Sequence, residues 1–89
     1  MEFEWDDAKH EATVRERGFG FDVAARIFDD RVVEWLDDRF DYSEIRLCAL
    51  GRVAGVVLHV GYTQRGDVYR IISARPASRK EREIWQIHA

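Results

Sequence analysis

From Glu44 onward the chain repeats with a period of two, and the breaks in that repeat are only a few residues long. Ile45, Leu47 and Ala49 alternate with Glu44, Arg46 and Cys48, the spacing of a strand with one apolar face. Gly51 to Gly55 reads as a turn. Val56 to Thr63 is almost continuously apolar, which suits a strand buried on both faces at the centre of a sheet. Gln64-Arg65-Gly66-Asp67 reads as a four-residue hairpin loop. Val68 to Arg75 is the next strand, and Pro76 prevents its extension. Strands joined by connections this short must pair antiparallel.

The N-terminal half and the C-terminal end supply helices. Phe3-Glu4-Trp5 alternates as a short strand. Asp6 can cap a helix from Asp7 to Arg17, which Gly18 stops. The apolar content of that helix is thin. Asp22 is read as the cap of a second short helix with Val23, Ala24, Ile27 and Phe28 facing inward. Val32 to Leu36 reads as a strand, and Asp37 to Asp41 as an acidic loop. Ser78-Arg79-Lys80-Glu81 is a capping box opening a last helix with Ile84, Trp85 and His88. The expected fold class is α+β, a single antiparallel β-sheet with flanking helices packed on one face and the other face open for binding. A chain of 89 residues buries roughly 64% of its surface, enough for one core, so residues 1–89 are read as one domain.

Charge narrows the function. The net charge is -3, which argues against a general nucleic-acid binder. The distribution is uneven: residues 1–44 carry 14 acidic and 6 basic side chains, residues 45–89 carry 3 and 8. A local positive patch can therefore still attract a polyanion; a solvated face is the ordinary alternative. The one cysteine, Cys48, excludes an internal disulfide and a cysteine cage, and reads as a small buried residue. The three histidines show no metal spacing, so no metal or other cofactor is expected. No apolar run approaches a membrane span, and the acidic start Met1-Glu2-Phe3-Glu4 lacks the apolar stretch of a signal peptide. A cytoplasmic location is expected.

Several residues are able to carry chemistry. Lys9, Thr13 and Arg17 fall at i, i+4 and i+8, forming one polar stripe on the first helix. Strict alternation along the last strand puts Tyr69, Ile71, Ser73 and Arg75 on one face, and Val68, Arg70, Ile72 and Ala74 on the other, taken as the core face. Arg70 and Arg75 then cannot serve one site unless a bulge intervenes. Arg65, in the loop, reaches either side. Arginine's planar fork suits phosphate oxygens, although each arginine also has acidic partners available in the N-terminal half. Mid-strand His59 reads first as a structural residue, and His10 and His88 as helix-surface residues. Tyr62, Tyr69 and the tryptophans have rings that stack bases, or fill a core.

Phe3-Glu4-Trp5-Asp6 with Lys9, then Gly18, Phe21 and Phe28-Asp29-Asp30, resembles the opening of the BrnT family. Tyr62-Thr63-Gln64-Arg65, Arg70 to Ala77 and Glu81-Arg82 resemble its closing segment, most specifically in Ser73-x-Arg75-x-Ala77-x-x-x-Glu81-Arg82. The resemblance runs over nearly the whole chain. It implies a RelE-like fold and a ribonuclease toxin of a type II toxin–antitoxin pair that stops translation. It implies a BrnA-like ribbon-helix-helix antitoxin as partner, operator DNA contacted only through that antitoxin, and a toxin dimer bridged by two antitoxins.

On this reading the chain is a metal-free endoribonuclease. Arg65 and Arg75 would contact phosphate and stabilise the transition state, and Lys9 would add charge or transfer a proton. Arg17, Tyr62 and Ser73 would hold substrate. The family's polar stripe commonly reads lysine, asparagine, histidine, whereas this chain has Lys9, Thr13 and Arg17. Arginine does not cycle protons at neutral pH, so a base would come from Lys9, Tyr62, Glu34 or His59. Arg31 also stands where the family has a proline. The alternative function is a catalytically weakened module that keeps the antitoxin interface and co-repressor role.

Overall fold

A computed structural model describes residues 1–39 and 43–89. Its order is β1 (Glu2–Glu4), α1 (Asp7–Arg17), α2 (Phe21–Ala24) running into a 3-10 turn (Ala25–Asp29), β2 (Val32–Leu36), β3 (Leu47–Val53), β4 (Val56–Arg65), β5 (Val68–Pro76) and α3 (Arg79–His88). The five strands form one sheet in the order β1-β5-β4-β3-β2. β4 is central, as its apolar run requires. β2 to β5 pair antiparallel, and β1 adds a parallel edge to β5. The α+β class is as read from the sequence, with this parallel edge added.

The helices do not share one face. α1, α2 and the 3-10 turn cover one side, where Phe21, Ile27, Val60, Tyr62, Ile71 and Ala74 form the main core. α3 lies across the other side, where Trp85 packs on Leu50, Val57 and Ala77. The sheet is therefore covered by helix on both faces, and only the part of the second face beyond α3 is left for a site. Fully burying side chains such as Phe21, Ile27 and Leu50 stabilises the fold by about 1.5–3 kcal/mol each.

Local chemistry explains the elements. The Asp6 carboxylate accepts from the Lys9 N–H at 3.1 Å, and α1 ends at Gly18 with φ 82°. No α1 residue is buried; the helix is tied down by His10 instead. His10 Nδ1 accepts the Phe21 N–H at 2.9 Å and its ring stacks on Trp5 at 5.7 Å. His10 is thus a structural tie and not a plain surface residue. α2 begins at Phe21 with Gly20 at the cap position, so Asp22 lies inside the helix and does not cap it.

Two turns are shorter than expected. β3 continues to Val53 and the connection is Ala54-Gly55. Gly51 lies inside the strand because a Cβ there would stand 2.6 Å from Ile27 Cβ; the glycine serves close packing, and no turn forms at it. The β4–β5 connection is Gly66-Asp67 alone, with Gly66 at φ 61°, the first-position glycine of a two-residue hairpin turn. The expected acidic loop keeps Asp37 to Arg39 within the described residues, and its Phe40 and Asp41 lie outside them.

The decisive irregularity is in β5. Tyr62 pairs with Ile71 and Gly61 with Ser73, so Ile72 has no counterpart on β4. This bulge resets the alternation. Ile71 and Ala74 both join the main core. Arg70, Ser73 and Arg75 consequently share the opposite face with their partners Thr63, Gly61 and His59.

Candidate active site

The upper half of β5 and its partner β4 set the site. His59 pairs with Arg75 and Gly61 with Ser73, on the face that α3 partly covers. Arg17, the last residue of α1, reaches the same place because α1 packs against β5. Together Arg17, Arg39, His59, Ser73 and Arg75 line a cleft of about 180 Å³. It adjoins a recess of about 210 Å³ lined by Trp35, Asp37, Cys48 and Glu81 as well.

Arg75 is aimed by Glu81. Its Nη1 lies 2.7 Å from Oε1 and its Nη2 2.9 Å from Oε2, a two-pronged pair. Such geometry fixes the guanidinium plane. The same carboxylate accepts the Ser78 N–H at 2.8 Å, while Ser78 Oγ accepts the Glu81 N–H at 3.2 Å. The capping box of α3 and the arginine clamp are one device. The Arg75 hydrogen bonds and the Ser78 N–H hold the Glu81 carboxyl down at about 2, and Glu81 raises the Arg75 guanidinium further.

His59 Nε2 is 3.8 Å from Glu81 Oε2, and its ring meets Trp35 edge-on at 5.6 Å. Burial, and then the nearby Arg75 charge, push its pKa below the ordinary imidazole value, with Glu81 opposing. The ring is neutral at pH 7, so it can accept a proton. A Cβ on Gly61 would stand 2.6 Å from Ser73 Oγ, so the bare glycine makes room for that hydroxyl. Arg39 is held in turn by buried Asp37, with Nε 2.8 Å from Oδ1 and Nη2 3.0 Å from Oδ2. The buried Cys48 thiol is pushed up, chiefly by desolvation, so it does not serve as a thiolate.

The residues expected from the sequence divide. Arg75, Ser73 and Arg17 meet in the cleft. Arg65 does not: it ends β4 six residues beyond His59, about 20 Å along the strand. There it forms its own two-pronged pair with Glu44, at 3.1 and 2.9 Å, and approaches Glu4 at 3.9 Å. Arg65 and Arg75 therefore cannot grip one phosphate, which corrects the expected pairing. Arg70 shares the face of Arg75 but stands 3.4 Å from Glu4.

Tyr62 is fully buried, and its hydroxyl donates to Glu34. Its ring stacks on Tyr69 at 5.2 Å. Burial and then Glu34 push its pKa far up, so it neither touches substrate nor serves as a base. Lys9 is not among the residues lining the cleft and stands about 12 Å along the helix from Arg17. Thr13 Oγ1 donates to the Lys9 carbonyl at 2.9 Å. His59 and Glu81 carry more than their sequence reading granted. The available signal was the Ser73-x-Arg75 spacing opposite His59, legible only once the bulge is known.

Among the described residues, no group of three His, Cys, Asp or Glu side chains is placed to hold a metal ion. Nor is any helix among the described residues long and apolar enough to cross a membrane. A cleft that gathers three guanidinium groups, a hydroxyl and a neutral imidazole on a small α+β domain has the chemistry of a protein that acts on phosphodiesters. Residues 5–81 match the family model described as "Ribonuclease toxin, BrnT, of type II toxin-antitoxin system". The chain belongs to that family of ribonuclease toxins. No curated protein matches the chain.

Proposed function

We propose that this chain cleaves RNA without a metal ion, by attack of the ribose 2′-oxygen on the adjacent phosphorus. A ring nitrogen of His59 takes the 2′-hydroxyl proton, and Glu81, 3.8 Å from Nε2, steadies the imidazolium that results. Charge gathering on the pentavalent phosphorane falls to Arg75 and Arg17, with Ser73 donating to a phosphate oxygen. The 5′-oxygen leaves with a proton from water, giving a 2′,3′-cyclic phosphate and a 5′-hydroxyl. Lys9 supplies charge along the approach. What supports this reading is the meeting of Arg17, Ser73, Arg75 and neutral His59 around one cleft.

The partner that silences it is a BrnA-like ribbon-helix-helix antitoxin. It bridges a toxin dimer, carries the operator contacts and acts with the toxin in the cytoplasm. The nuclease reading is tested by incubating the purified chain with defined RNA beside Arg75→Ala. Cleavage to cyclic-phosphate ends by the first and not the second is the expected result; RNA left intact by both removes the reading.

A second reading has its own support. The Arg75 guanidinium already satisfies Glu81 at 2.7 and 2.9 Å, and the family's usual histidine is Arg17 here. On that reading the chain is a weakened nuclease retained as an antitoxin-binding module. Expression without antitoxin then leaves growth and cellular RNA unchanged, whereas the first reading requires arrest and fragmentation.

A further inference from the structure

A second concavity lies on the α1–α2 face of the sheet, opposite the face that holds the cleft, and shares Arg17 with it. It is a groove of about 370 Å³, walled by Phe19, Val56, Leu58 and Pro76 and edged by Arg17 and Arg26. We propose that this groove is a nucleobase subsite, seating the base of the nucleotide next to the phosphate held at Arg75; the proposal rests on the nuclease reading above.

Charge is the first argument. No carboxylate lines the groove. Among the described residues, no carboxylate lies within ion-pair distance of Arg17 or Arg26; the same holds for Arg15, Arg52 and Arg82, but only Arg17 and Arg26 stand at the rim of the groove. Two guanidinium groups without a carboxylate partner thus edge an apolar groove. They fit a ligand with a flat apolar body and an attached anion, which is the make-up of a nucleotide. Arginine planes and aromatic rings both accept a stacked base without demanding a particular one.

Continuity is the second argument. Arg17 lines the groove and the cleft alike. Pro76, in the groove wall, follows Arg75 directly, and the two side chains leave opposite faces of β5. A strand whose phosphate sits on Arg75 and Arg17 reaches the groove by passing its neighbouring base round the edge of β5 at Arg17. An acidic, apolar segment of the antitoxin offers similar chemistry, but the shared Arg17 favours the nucleotide.

The test follows the Val23 and Val56 methyl signals by NMR while an uncleavable 2′-deoxy tetranucleotide of mixed sequence is added to the full chain. RNA cleavage by Arg26→Ala and Val56→Asp is measured in parallel, with Arg15→Ala as an equal loss of charge on α1. Val56 is half-exposed, and thermal melts verify that each variant folds. Expected are shifted methyls and about a tenfold rise in KM for the two groove variants with little change in kcat, the pattern of lost binding. Unmoved methyls, with KM values matching Arg15→Ala while the parent still cuts RNA, overturn the subsite and leave the nuclease standing. Methyls that move on adding antitoxin and not oligonucleotide also overturn it, in favour of a protein-binding groove. Shifted methyls in a chain that cuts no RNA support the groove and reject the nuclease.

Discussion

Gly61 and Ser73 face each other across β4 and β5 so closely that a Cβ on the glycine would lie 2.6 Å from the serine Oγ. Gly61→Ala forces that hydroxyl out of its rotamer while the strands keep their pairing. Displacing a substrate-positioning group by an ångström costs roughly tenfold to a hundredfold in rate. Cleavage should fall within that range, with the melting temperature lowered by only a few degrees. A variant that cuts RNA at the parent rate would remove Ser73 from the cleft's function.

Arg65 and Arg75 carry the same group in the same kind of ion pair, and their substitution should nonetheless differ sharply. Arg75→Ala is expected to abolish cleavage, by about a hundredfold or more. Arg65→Ala loses only exposed pairs with Glu44 and Glu4 and should stay within about twofold. Single-turnover rates on one RNA decide it.

Glu81 ties stability to pH. Its carboxyl is held at about 2 against an ordinary 4.5, so the folded state binds its proton less readily than the unfolded chain. The stabilisation is complete above pH 4.5 and is lost as the pH falls toward 2. By linkage it amounts to roughly 3 kcal/mol. Urea midpoints between pH 3 and 7 should show that loss in the parent and a flatter profile in Glu81→Gln.

In the proposed mechanism His59 sets the acid side of the activity. Its pKa lies below the ordinary 6.5, so the cleavage rate should be level at pH 7 and fall only at pH values under 6.5. Glu81 supports the charged imidazole, and removing its charge lowers that pKa further. The acid limb should thus move to lower pH in Glu81→Gln. His59→Gln should lose at least about a hundredfold. A limb centred above pH 6.5 would identify a different base.

Tyr62→Phe separates structure from chemistry. The buried hydroxyl bonds Glu34 on the side of the sheet away from the cleft. Its loss should cost about 0.5–1.5 kcal/mol in unfolding experiments and leave kcat unchanged. A fall in kcat without a loss of stability would return the tyrosine to the mechanism.

The fold was largely legible because its signals are local. The Asp6 cap, the Gly18 stop, the Ser78–Glu81 box and the apolar run of β4 each act within a few residues. Gly51 misled because a glycine that admits Ile27 looks, in one dimension, like a glycine that turns a chain. The site was legible only in part. Ser73, Arg75 and Arg17 could be picked out by residue type, but Arg65 was grouped with them as a loop residue able to reach either side of the sheet. Whether two strand residues meet depends on register, and register here passes through the bulge. Glu81 was read as a helix cap, which it is; that it also clamps Arg75 follows from where α3 lands.

Strand β5 is one residue longer than the ladder it forms. Deleting Ile72, the residue without an opposite number, would leave Tyr62 against Ile71 and Gly61 against Ser73 in an unbroken run. Arg70 and Arg75 would still emerge on one side. Loss of a residue from an inner strand is ordinarily ruinous, yet at this one position the shortened chain keeps its reading frame of inward and outward side chains.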